Sequence, residues 1–142
     1  MNKKSQDSIP LQCDRKAEEI AFLPCSGASN CGQIANQAAV KLTEGGYGRM
    51  YCLAGIGAHN DGMVESARGA KRIVAMDGCQ VACAKKTIEH AGLPVTDWIC
   101  VTDAGIDKVH EFRLKRKDID LIAQRIRESL ANPVGTKGKQ KA

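Results

Sequence analysis

Short apolar runs alternate regularly with amphipathic ones along this chain, and few architectures satisfy that order. Ile20 to Pro24, Arg49 to Ala54, Arg72 to Met76 and Trp98 to Val101 read as strands. Between them lie helical patterns. One starts with Asn30 as a cap and Gln33 three residues on, a capping-box spacing. It carries Ile34, Ala35, Ala38, Ala39 and Leu42 on one face and stops at Gly45-Gly46. A second starts at Asn60 or Asp61, with Met63, Val64, Ala67 and Ala70 inward. A third follows Asp77-Gly78-Cys79 and runs to Ala91, and a fourth begins near Asp118 with Ile119, Ile122, Ile126 and Leu130 inward. Strands alternating with helices specify a parallel sheet covered on both faces. Right-handed crossovers then bring all C-terminal strand ends to one edge. The expectation is a small Rossmann-like three-layer α/β domain over 19–132 with a mostly parallel four-stranded sheet, flanked by a flexible segment 1–18 and a disordered basic tail 133–142.

That topology gives the cysteines a common address. Cys25 follows the first strand, Cys52 lies near the end of the second, and Cys79 follows the third. Cys83 stands one turn further on, expected on the same face of the third helix as Cys79. Ligands at sheet edges of this kind bind outside the C-terminal strand ends. Four thiolates around one ion form the tetrahedral arrangement of structural zinc, and the Cys79/Cys83 spacing is within the usual range. The metal ligands expected are therefore Cys25, Cys52, Cys79 and Cys83. Cys31, in the first turn of the first helix, is a candidate fifth thiol. Cys100 reads as a buried strand residue and Cys13 as an exposed bystander. The chain has seven cysteines in all. An odd count fits a closed disulfide framework poorly, and clustered thiols without an export signal point to metal or redox chemistry in the cytoplasm.

Four segments also carry a family resemblance. They are Pro24-Cys-Ser-Gly-Ala-Ser29 with Gly32-Gln33, Cys52-Leu-Ala-Gly-Ile-Gly57, Met76-Asp-Gly-Cys79 with Cys83, and Thr102-Asp-Ala-Gly105 with Lys108. In this order they resemble the DGC-domain family of zinc-binding proteins, named for its central Asp-Gly-Cys. The resemblance implies four chelating cysteines, which fall on Cys25, Cys52, Cys79 and Cys83. It implies no particular reaction.

Other chemistries fit less well. There is no Walker motif and no GxGxxG, so a nucleotide site lacks support. The loop after Cys25 has the length of a phosphatase cradle, but Cys31-Gly32 stands where that cradle needs arginine. Ser26 and Ser29 have no evident His–Asp partners. Asp77 reads as a helix cap and Asp103 as its counterpart after the fourth strand. His59 could be a substitute ligand but reads first as a surface residue, as do His90 and His110. Residues 113–142 hold nine Lys or Arg against three Asp or Glu, whereas 1–112 hold twelve against thirteen. The net charge of +5 therefore comes from the C-terminal part, where a solvated helix face and tail account for it. Aromatics at 4% argue against base stacking on nucleic acid, and no run is long enough to span a membrane. Three functions remain open: a zinc protein with a structural, sensory or metal-handling role, an iron–sulfur protein, and a thiol-redox or sulfur-transfer enzyme.

Overall fold

Side chains alternate across a strand with a period of two, and that alternation divides this core in two. A computed structural model describes residues 19–134. Cys13, the segment 1–18 and the tail from 135 onward lie outside them. In β1 (Ile20–Pro24), Phe22 faces one way and Ala21 and Leu23 the other. In β3 (Arg72–Asp77), Val74 and Met76 join Phe22, while Ile73 and Ala75 join Leu23. One face is covered by α1 (Asn30–Glu44) and the long C-terminal helix, α5 (Arg116–Leu130), through Ile34, Ala38, Leu42, Ile122 and Ile126. The other is covered by α2 (Leu53–Gly57), α3 (Asp61–Arg68) and α4 (Cys83–His90), through Ile56, Ala67, Ala84 and Ile88. Burying each such large aliphatic side chain contributes roughly 1.5–3 kcal/mol. Both faces are apolar, as a parallel sheet requires.

The sheet is completed by β2 (Arg49–Met50) and β4 (Asp97–Cys100), in the order β2-β1-β3-β4, with all pairs parallel. The chain leaves β1 toward β2 and returns on the other side to β3. The crevice between the ends of β1 and β3 is thus the switch point where such sheets bind ligands. The expected three-layer α/β architecture is what forms. Among the described residues no helix is long and apolar enough to cross a membrane.

Four local expectations are corrected. The second strand ends at Met50 rather than Ala54, because the Cys52 thiol accepts the Gly55 N–H at 3.4 Å and starts a five-residue helix instead. The cap of α1 is Ser29, whose hydroxyl accepts from Gly32 N; Gln33 donates instead to the Gly27 carbonyl at 3.1 Å. The third helix begins at Cys83, not after Gly78, since Ala82 takes a left-handed conformation (φ 58°) that breaks any continuous turn from Cys79. The C-terminal helix begins at Arg116 rather than near Asp118.

A buried ion pair fixes the opposite edge. Arg72 and Asp97, only 11% and 9% exposed, meet side by side through two bonds of 2.6 and 3.1 Å. Arg72 also donates to the carbonyls of Ser129, Leu130 and Asn132, closing the end of α5. Burial would raise the Asp97 carboxyl, but bonds from Arg72, Thr96 and Ser129 and the Arg72 charge hold it below its ordinary value.

Candidate metal centre

Strand ends deliver the expected thiols to one edge. Cys25 comes directly off β1, half-buried, and its sulfur accepts the Gly78 N–H at 3.3 Å. Burial pushes its thiol up. The Gly78 and Gly27 N–H groups pull the other way, while the charges of Asp77 and Cys83 add to the rise. Cys79 leaves β3 two residues after Asp77, half-buried, with the Lys108 ammonium 3.6 Å from its sulfur. Cys83 is the exposed first residue of α4, and Cys52 is the exposed cap of α2.

Two adjoining cavities organise these groups. One, of about 320 Å³, occupies the switch point; Cys25, Cys79 and Cys83 line it with Gly27, Gly78, Lys108 and His110. The other, of about 670 Å³, lies toward β2; Cys25 and Cys52 line it with Tyr51, Gly57 and Thr87. Cys25 is common to both walls. The four expected ligands thus share one edge without meeting at one point: among the described residues no three His, Cys, Asp or Glu side chains are gathered closely enough to hold a metal ion. Cys79 and Cys83 line the same cavity but do not share a helix face, because Cys79 lies in the loop before α4.

Close backbone approach makes this edge. A Cβ at Gly78 would stand 2.5 Å from Gly32 N and 2.7 Å from the Cys31 carbonyl carbon. One at Gly32 would stand 2.6 Å from Gly27 Cα. Glycines at both positions let the loops after β1 and β3 lie against the start of α1. Asp77, fully buried, orders the next helix. Its carboxylate accepts from Ala84 N (2.7 Å), Lys85 N (3.1 Å) and Trp98 Nε1 (2.9 Å). Asp77 is therefore a cap, as its position suggested. Ser26 and Ala82, each beside a candidate thiol, are two of the three non-glycine residues with positive φ among the described residues, the third being His59. Such strain persists only where surrounding structure enforces it.

The remaining candidates are structural in their contacts. Cys31 is fully buried in the α1–α5 core and donates to the Ile106 carbonyl at 3.7 Å. Its thiol is pushed up by burial first and then by the Cys100 and Cys79 charges, against the pull of Lys108. Cys100 is buried beside Thr102 Oγ1 at 3.2 Å, and Asp103 accepts from Gln80. Ser26 bonds Asn36, and His110 donates to the Ala28 carbonyl. Two contacts escaped the sequence reading. Lys108 on Cys79 spans 29 residues, and the pair His59–His90, 3.1 Å apart, spans 31. Neither spacing leaves a signal in one sequence.

The donor chemistry suits a soft cation: four thiols, two of them exposed, on loops whose glycines leave room at the backbone. The chain is 30% identical over 111 residues to the anaerobic and virulence modulator AnvM of Pseudomonas aeruginosa, covering 78% of this chain and 84% of that protein. No solved structure matches. The DGC domain matches residues 21–126, a span that contains every thiol of the two cavities, and the chain belongs to the DGC domain family.

Proposed function

We propose that this domain binds a soft metal ion, zinc in the first instance, through the thiolates of Cys25, Cys52, Cys79 and Cys83. The observation that carries this reading is the shared wall. Cys25 lines both cavities, with Cys79 and Cys83 on one side and Cys52 on the other. Burial and neighbouring negative charge oppose ionisation of Cys25, and a coordinated cation is the strongest means of reversing that opposition. When bound, the ion would hold these thiols as thiolates and cross-link three strand ends. The set is not drawn to a point, so closure of the edge and metal binding would go together. A site closed by four protein ligands leaves no position for substrate, which favours a structural, sensory or metal-handling role over metal catalysis. The relative's name ties that protein to anaerobic conditions and to modulation. Thiolate-held metals respond to oxidants, so of the three roles a sensory one fits such chemistry in this chain.

Lys108 beside Cys79 favours a second reading, in which Cys79 is the nucleophile of a thiol-redox or sulfur-transfer enzyme. Elemental analysis of anaerobically purified protein, with its visible spectrum, separates the readings. About one zinc per chain without colour is the expected result. Iron with acid-labile sulfide would replace zinc by a cluster. Metal-free protein with a single rapidly alkylated Cys79 would favour the enzyme. Cys79→Ser should lose metal and thermal stability together; unchanged metal content in that variant would sink the four-cysteine assignment.

A further inference from the structure

A pair of imidazoles stands outside the cysteine edge. His59 follows α2 and His90 ends α4. Both side chains are exposed, yet His59 Nε2 and His90 Nδ1 lie 3.1 Å apart, with the rings edge to face at 79° and centroids 5.2 Å apart. The two helices pack closely enough that a Cβ on Gly57 would stand 3.2 Å from the Thr87 methyl. Gly57 and Thr87 also line the larger cavity with Cys25 and Cys52. The pair therefore sits on the two elements that wall that cavity.

The backbone at His59 adds weight. The Asn60 N–H bonds the Gly55 carbonyl at 3.0 Å and the His59 N–H bonds the Ile56 carbonyl at 3.0 Å. These are the two bonds of a Schellman ending, which puts His59 at the left-handed position, φ 55°, that glycine normally fills. An imidazole is held where local backbone chemistry asks for no side chain. Its ring nitrogen then meets the His90 imidazole.

We propose that His59 and His90 form a second metal site, a two-imidazole site for a divalent transition-metal ion. At metal–nitrogen bonds of about 2.0–2.1 Å, nitrogens 3.1 Å apart subtend about 95–100° at a shared ion. That angle lies between octahedral and tetrahedral, and borderline divalent ions accept it with water completing the shell. The cation takes the place of the hydrogen bond between the two rings. Neutral imidazole suits zinc, cobalt and nickel, whereas the thiolates suit softer ligation. The site is open and exposed, so it exchanges metal readily, and it lies outside the cavity that carries two of the candidate thiols, next to the Gly57 and Thr87 that line it.

The test is equilibrium dialysis of the full chain against Co²⁺ under reducing, anaerobic conditions. Bound cobalt is counted by elemental analysis, and thiolate ligation is read from its near-ultraviolet charge-transfer band. The wild type should hold one more equivalent than His59→Gly and one more than His90→Ala, with the thiolate band equal in all three. His59→Gly is the cleaner variant, because glycine suits that backbone and the melting temperature should not fall. Equal cobalt in all three proteins would overturn the proposal. So would loss of the thiolate band along with the equivalent, since the histidines would then belong to the cysteine site. A histidine-dependent equivalent with no thiolate band in any protein supports this site and counts against the cysteine reading.

Discussion

Gly78→Ala tests whether the glycine between Asp77 and Cys79 serves packing or chain freedom. Gly78 is not among the glycines with positive φ, so its backbone accepts alanine. If only flexibility were at stake, the substitution would stabilise the fold by about 0.4–1 kcal/mol through the unfolded chain. The structure requires the opposite sign. The new Cβ would stand 2.5 Å from Gly32 N, 2.7 Å from Cys31 C and 2.9 Å from Gly32 Cα, all backbone atoms of the first turn of α1. Ordinary contact begins at 3.4 Å, so the loop must retreat by about 0.9 Å (3.4 less 2.5). Retreat strains the Gly78 N–H to Cys25 bond and the Thr102 N–H to Gly78 carbonyl bond, both 3.3 Å. Overpacking costs about 1–3 kcal/mol and a lost bond about 1 kcal/mol. Less the unfolded-state gain, the net destabilisation is about 1–3.6 kcal/mol. For a domain of this size that lowers the melting temperature by about 3–12 °C. Thermal melts read the stability, and on the proposed metal reading bound zinc measured in parallel should fall because Cys79 moves with the loop. An unchanged or raised melting temperature would refute the close-approach argument.

Other expectations follow from single contacts. Arg72→Met should cost about 3–5 kcal/mol in urea unfolding, because Asp97 would stay buried without its partner; a loss under 1 kcal/mol would mean that water reaches the pair. The Asp97 carboxyl is held below its ordinary value of 3.8 when folded. Its contribution is thus fully present above that value and is lost as pH falls through the folded value. Acid titration of stability should therefore show a drop below about pH 4 that is absent in Asp97→Asn, and identical acid limbs would contradict the assignment. Cys31→Ser places a hydroxyl in the apolar α1–α5 core and should destabilise by about 1–3 kcal/mol without changing metal content; metal loss without destabilisation would make Cys31 a ligand.

How much of this could be read from the chain depended on where the decisive contacts lie. β1, β3 and β4 were legible because local apolar runs and sheet burial agree, and α3 because Asn60 caps it as its side chain predicts. The cysteine edge was legible because parallel topology puts Pro24, Met50, Asp77 and Cys100 at the same side. Local rules failed at Cys52, which became a helix cap, and at Ala82, whose left-handed turn postponed α4 until Asp77 could cap it from the strand end. They failed again at His59, which fills a glycine position. Pairings 25 to 31 residues apart, such as Arg72–Asp97 and His59–His90, leave no periodic trace. Among the described residues, the non-glycine positions with positive φ are not scattered. Ser26, Ala82 and His59 each adjoin a group with metal-ligating chemistry: Cys25, Cys83 and His90. A sequence selected for stability alone would place glycine at such turns. Departures from local consistency are expected at functional or strained sites, and here they border both the cysteine edge and the histidine pair.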